Sequence, residues 1–234
     1  MTRKSGSGTR ARTPLNKERV FNAAVTLADE RGIEAVTMRN LAEELGVEAM
    51  SLYYHVANKE AVLDGVVVAV ISEIAEELDS AATSDDVSDW KAAIRHRVLT
   101  ARTVMLRHPW APGVIEDRTS MSPEIILYFE GLLGTMIDGG FSYDLAHHAM
   151  HALGSRALGF TQELFAPDNE TASDDTAEEM LAEMAEQLPY LMGMMLEIAH
   201  DEPDSTLGWC DDDTEFDFGL DLILDGLEHL VHDS

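Results

Sequence analysis

Apolar residues recur along this chain at three- and four-residue spacing, and that spacing predicts helices almost throughout. After Pro14, Asn16 stands at an N-cap position; Val20, Phe21, Ala24, Leu27 and Ala28 then mark one helical face until Gly32 stops it. Ile33 and Val36 bridge to Thr37, a second N-cap, and the helix after it carries Leu41, Ala42 and Leu45 before Gly46. A short third helix is expected over about residues 48–54, and Asn58 caps a fourth that buries Val62, Leu63, Val66, Val70, Ile71 and Ile74.

Further on, residues 88–107 read as an amphipathic helix with Trp90, Ile94, Val98, Ala101 and Met105, ended by His108-Pro109. Pro123 opens another helix that stops at Gly139-Gly140, and Ser142 caps a long one running to Phe165. Residues 166–175 read as a polar loop, and Thr176 starts an Ala- and Met-rich helix in which Pro189 makes a kink or break. An acidic loop over 201–213 precedes a last helix over about 214–232. No segment alternates as a strand and no long-period repeat occurs, so the expected fold class is all-α.

Composition narrows the class. The chain has 234 residues, 45% of them hydrophobic, enough for a small and a larger globular domain. No apolar run approaches the ~20 residues a membrane span needs. The opening MTRKSGSGTRARTP has no apolar stretch behind it, unlike a secretory signal. One cysteine, Cys210, excludes an internal disulfide framework. A soluble, cytoplasmic protein with no membrane partner is expected. The net charge of −28 is unevenly placed: residues 1–60 hold nine Lys/Arg against eight Asp/Glu, leaving the other seven basic and 36 acidic residues to 61–234. An acidic remainder would be repelled by a polyanion bound at the N-terminal part and would orient its docking. A solvated surface suited to high salt explains the same charge. Residues 1–14, with Arg3, Lys4, Arg10 and Arg12, read as a disordered basic arm.

The second helix, the Gly46-Val47 turn and the third helix fit a helix-turn-helix, whose second helix would enter the major groove. Pattern alone leaves a plain three-helix bundle open. The stretch GIEAVTMRNLAEELGVEAMSLYYHVANKEAVLDGV, Gly32–Val66, resembles the DNA-binding domain of TetR-family transcriptional regulators, and most of all the tetracycline-repressor branch. It has the Thr-capped helix, the leucine-alanine core, Gly-Val, the Leu-Tyr-x-His recognition helix and Asn-Lys-Glu. FDFGLDLILDGLEHLV, Phe216–Val231, is similar to that branch's final helix. The resemblance implies a helix-turn-helix domain over 15–62 and a helical ligand-binding and dimerisation domain over 63–234.

It also implies roles. Thr37 and Arg39 would meet phosphate and a base edge, with Arg suited to guanine. Ala49, Met50 and Ser51 would face bases, Tyr53 and Tyr54 the backbone, and His55 and Lys59 phosphates. Leu41, Leu45, Val47 and Leu52 should be core. Because the reading helix opens Glu48-Ala49-Met50, without Gln, Asn or Arg, direct readout leans on Arg39, apolar contact to thymine and DNA shape.

In the second domain, Leu220, Ile223, Leu224, Leu227 and Val231, with Gly219 and Gly226, suit a homodimer bundle with Ala146–Gly159, or burial within one subunit. An effector pocket is implied by the family. Arg97 and Arg156 fall on apolar stripes, where each needs either a ligand or an internal carboxylate. Ala101, Met105, Trp110, Ile115, Phe129, Met136 and Phe160 are the other candidate lining residues. The resemblance puts Ile115 where the tetracycline repressors use a His for a magnesium chelate, and Glu163 at a family carboxylate. The missing His argues against tetracycline itself. His147 and His151 share a helix face with His148 beside them, but no third ligand is evident, and no metal or cofactor is expected. No nucleophile elbow or phosphate-binding glycine loop points to an enzyme. The expected function is a repressor released from a double-stranded DNA operator by a small molecule. The alternative is an acidic helical protein-interaction regulator without such an effector.

Overall fold

The computed structural model describes residues 14–81, 89–118, 122–159, 187–190, 193 and 212–232. Asn16 caps the first helix, its Oδ1 accepting from the Arg19 amide at 2.8 Å. The helices are α1 (Lys17–Arg31), α2 (Met38–Leu45), α3 (Ala49–Leu52), α4 (Lys59–Ala81), α5 (Trp90–Arg107), α6 (Ala111–Glu116), α7 (Pro123–Asp138), α8 (Tyr143–Gly159) and α9 (Asp212–His232), with a 3-10 turn at Ile33–Ala35. Among the described residues there is no strand. The polar caps Thr37, Asn58 and Ser142 each accept from an amide three residues on.

These residues divide into two units. The first comprises those up to Ala81 together with Thr100–Gly131. Its core joins Val20, Ala24 and Leu27 of α1 to Leu41 of α2, Leu52 of α3 and Val62, Leu63 and Val66 of α4, with Val114 of α6. The boundary after residue 62 expected from sequence falls inside α4, whose apolar face from Val62 to Val67 belongs to this core. Leu45 and Val47, expected as core, are half-buried against it, as is Ile71.

The second unit holds α5 up to Leu99, α7 from Leu132, α8 and α9. Ile94, Val98, Leu132, Met136, Phe141, Ala146, Ala149, Leu153, Phe216, Leu220, Leu224 and Leu227 form its core. The stripe read as either dimer face or internal face is therefore internal at Leu220, Leu224 and Leu227. A second apolar stripe on α9, Phe218, Leu222 and Leu230, is exposed. The acidic side of α9 meets α5: Lys91 Nζ lies 2.6 Å from Asp225 and from Glu228, and Arg95 lies 3.0 Å from Asp217 and from Asp221. Asp225, then Glu228, hold the Lys91 ammonium above its ordinary pKa, and Asp221, then Asp217, do the same for Arg95. Such solvent-screened pairs contribute little each, against ~1.5–3 kcal/mol for each fully buried Leu or Phe. Packing holds α9 in place, and the ion pairs choose which of its remaining faces turns to α5.

Sequence missed α6, six residues with Pro112 in its first turn, too short to show a period. The last helix begins at Asp212, two residues before the expected start. Leu188 is non-helical between helical Gln187 and Pro189, where a break was expected. The expected extension of the eighth helix to Phe165, the loops over 166–175 and 201–211, and most of the Ala- and Met-rich helix lie outside the described residues.

Gly139 closes α7 against Trp90, whose Cβ and Cγ would stand 2.6 Å from an added Cβ, while one at Gly134 would meet nothing within 4 Å. Trp90 is itself seated edge-on to Phe141, with ring centroids 4.7 Å apart. Gly139→Ala should therefore cost about 1–3 kcal/mol by overpacking, whereas Gly134→Ala in the helix interior should add about 0.4–1 kcal/mol. Urea unfolding of the two variants measures this, and shifts of the same sign would refute the steric account.

Candidate nucleic-acid interface

The reading head is built from the caps outward. Thr37 Oγ1 accepts from the Asn40 amide at 3.2 Å, and Asn40 Nδ2 donates to the Ala35 carbonyl at 2.8 Å. The two bonds tie the 3-10 turn to the first turn of α2, from which Arg39 projects exposed. At the other end Gly46 adopts φ 63°, ψ 38°, the left-handed conformation that glycine takes without a Cβ penalty. The Gly46 and Val47 amides return to the carbonyls of Glu43 and Ala42 at 3.1 and 2.9 Å. That reversal launches α3 across α2.

α3 is one turn long. Its Ser51 amide donates to the Glu48 carbonyl at 2.8 Å, and the His55 and Val56 amides both return to the Leu52 carbonyl. Leu52 and Val56 are buried beneath it. The opposite side is open: Ala49 is exposed, Met50 is 67% exposed and Tyr54 87%, with Tyr53 beside them. Ser51 and His55 are half-buried at the edge of this face, as are Thr37 at the start of α2 and Lys59 at the start of α4. Two phenols, a cation and an imidazole can donate to phosphate, while the Met50 thioether and the Ala49 methyl offer apolar contact to a thymine methyl.

Two contributors to this region had no role assigned from sequence. Arg118 reaches from beyond α6 to Glu60 at 2.6 Å and Asp64 at 3.6 Å, covering carboxylates in the first turns of α4 beside Lys59. Glu60, the nearer carboxylate, holds the Arg118 guanidinium above its ordinary pKa. Glu48, exposed at the N-cap of α3 with no side-chain cap bond, adds an acceptor to the reading side. Nothing local marks Arg118, since its partners lie 58 and 54 positions away.

The residues read as pocket lining fall in both units. In the first, Ala101 and Met105 are buried, and Ile115 packs half-buried on the core. Trp110 donates its indole N–H to Asp29 at 2.7 Å, and Phe129 is partly exposed with its ring edge-on to Tyr128. In the second, Met136 is fully buried in the core and Arg97 is half-buried. Arg156 donates to the Glu215 carbonyl and lies 4.8 Å from the Phe216 ring centre, in the space left by Gly219. Phe160 and Glu163 lie outside the described residues. His147 and His151 stand with ring centroids 4.7 Å apart on an exposed face of α8, and among the described residues no group of three metal-ligating side chains forms.

Comparison with known proteins bears on family and fold. A family model described as "Bacterial regulatory proteins, tetR family" matches residues 20–66. A second, "Tetracyclin repressor-like, C-terminal domain", matches residues 83–231. The chain is 30% identical over 217 residues to the class D tetracycline repressor of Escherichia coli, covering 92% of this chain and 89% of that protein. It is 27% identical over 217 residues to the class C repressor of Escherichia coli, with 92% of each covered. Among solved structures, apo ActR of Streptomyces coelicolor superposes with a TM-score of 0.73 at 22% identity, over 95% of this chain and 99% of that one. TetR of Acinetobacter baumannii AYE does so with 0.66 at 25%, over 93% and 98%. With both family models matched and one relative at this identity over nearly its whole length, the chain belongs to the TetR family of bacterial transcriptional regulators.

Proposed function

We propose that the chain is a repressor that grips an operator as a homodimer and releases it when a small molecule binds. As a family member it is a DNA-binding regulator rather than an enzyme. The observation that carries the reading is the exposed face of Arg39, Ala49, Met50, Tyr53 and Tyr54 standing on buried Leu52 and Val56. A monomer gains nothing from solvating that much apolar surface beside a cation, whereas a major groove offers partners to each group. No helix among the described residues is long and apolar enough to cross a membrane, and we assign the protein to the cytoplasm.

Dimerisation is assigned to α9. With Leu220, Leu224 and Leu227 used internally, Phe218, Leu222 and Leu230 remain for a second copy, 62%, 59% and 52% exposed. The effector is assigned to the lining residues placed above. A family neighbour of 24% identity, ActR, is known in complex with actinorhodin, and another of 24%, a TetR variant from Acinetobacter baumannii AYE, in complex with minocycline. Apolar Ile115 favours an effector held without a His-bound metal. The internal partners of Arg156 favour a structural role there. Operator release under a small-molecule screen identifies the effector, and a chain that binds DNA but never responds favours the acidic interaction regulator.

Two measurements test the DNA and dimer assignments. On the promoter DNA beside its own gene, Lys59→Ala should lower affinity and flatten the log–log salt slope by about 0.9 per half-site, while Tyr53→Ala lowers affinity with the slope kept. Equal slopes for wild type and Lys59→Ala would remove that phosphate contact. Leu222→Asp should give monomers in sedimentation at micromolar concentration and lose operator binding, because a charge is then buried in an apolar contact. A dimeric Leu222→Asp protein would place the interface elsewhere.

A further inference from the structure

Among the described residues, His108 is the one buried polar side chain, at 7% exposure. Its ring sits between two carboxylates from different helices: Nδ1 is 2.8 Å from Asp29 Oδ1 on α1, and Nε2 is 3.1 Å from Glu73 Oε2 on α4. The same Asp29 oxygen accepts from the Trp110 indole at 2.7 Å, and Arg107 of α5 donates to Glu73 and Glu77. The charged groups around the ring are thus Asp29 from α1, Glu73 and Glu77 from α4, and Arg107 from α5.

A neutral imidazole has one N–H and one lone pair. It can donate to one of these carboxylates, and it then turns its lone pair towards the other. Only the doubly protonated ring donates to both. We propose that His108 is a positioning residue that clamps α1 to α4 while its ring carries both protons, so that operator affinity falls as pH rises. The DNA part of this statement rests on the function proposed above.

The sign follows from proton binding. The clamped state holds a proton that the released state gives up, so acid favours the clamp and its contribution is lost as pH rises. Release takes one donor from the facing carboxylate and so removes one polar tie between α1 and α4; α1 carries Val20, Ala24 and Leu27 in the core beneath the reading helix.

The experiment measures operator affinity and melting temperature of the full chain from about pH 6 to about pH 8.5 at constant ionic strength, the range over which imidazole ordinarily titrates. Wild type should lose about ten-fold in affinity across that range, the size expected for one hydrogen bond to a charged group, and its melting temperature should fall with it. Asp29→Asn should flatten both profiles. The substitution removes one of the two carboxylate charges that favour the doubly protonated ring, and because Nδ1 and the Trp110 indole share one Asp29 oxygen, the amide serves either the Nδ1 lone pair or the indole N–H. Glu73→Gln should flatten them from the other side. His55 is present in every protein compared, so its contribution cancels between profiles. A role limited to packing would leave the slopes alike. Identical pH profiles in wild type and Asp29→Asn overturn the clamp. A chain that binds no DNA yet shows the melting difference overturns the operator reading and leaves the clamp standing.

Discussion

The reading helix cannot hold itself. Four residues make one turn, and helix nucleation is unfavourable enough that isolated helices shorter than ~12–15 residues are marginal in water. α3 exists because Leu52 and Val56 are buried beneath it and because Gly46 turns the chain into it at φ 63°. Burying Leu52 and Val56 supplies ~1.5–3 kcal/mol each, against ~0.5–1.5 kcal/mol net for a single backbone bond of α3. The orientation of Met50, Tyr53 and Tyr54 is therefore a property of the core made by α1, α2 and α4. Movement of α1 against α4 is movement of the reading face.

Positive charge is the scarce material in the rest of the chain. Seven basic residues lie beyond residue 60 against 36 acidic ones. Four of the seven, Lys91, Arg95, Arg107 and Arg118, are set against carboxylate rows on α9 and α4. Each pair contributes little by itself, but without the cations Asp217, Asp221, Asp225 and Glu228 would repel one another along one side of α9. Spending cations internally leaves the outer surface acidic. That surface disfavours any docking on DNA except through the near-neutral N-terminal part. Salt weakens the internal pairs and would weaken the proposed phosphate contacts as well.

What sequence made legible was what neighbours in sequence decide. Asn16, Thr37, Asn58 and Ser142 cap helices where expected, because a cap bond spans three residues. The helix-turn-helix read at Gly32–Val66 was legible for the same reason, since turn and helices there are contiguous. Illegible were the pairings across distance: His108 with Asp29 and Glu73, 79 and 35 positions apart, and Arg118 with Glu60, 58 apart. The two faces of α9 show a further limit. Periodicity marks Leu220, Leu224 and Leu227 as a stripe but cannot tell which partner covers it. Phe218 and Leu222, scattered among aspartates, had no role read from sequence, and they stand out only once α5 is seen to take the acidic side.

Both distant pairings reach α4 from the same elbow between α5 and α7. Arg118 holds its first turns at Glu60 and Asp64, and His108 with Arg107 holds it at Glu73 and Glu77. At 1.5 Å rise per residue, Glu60 and Glu73 stand ~20 Å apart along the axis. A helix gripped at two such points moves as a body when the elbow moves, instead of bending. The apolar contacts of Val62, Leu63 and Val66 with α1 are too costly to exchange during a switch, at ~1.5–3 kcal/mol for each buried side chain. The polar contacts are individually weak, and only together approach the ~1–3 kcal/mol that couplings between sites typically carry. Under the function proposed above, a switch that keeps the core beneath the reading helix intact would make and break the polar grips on α4.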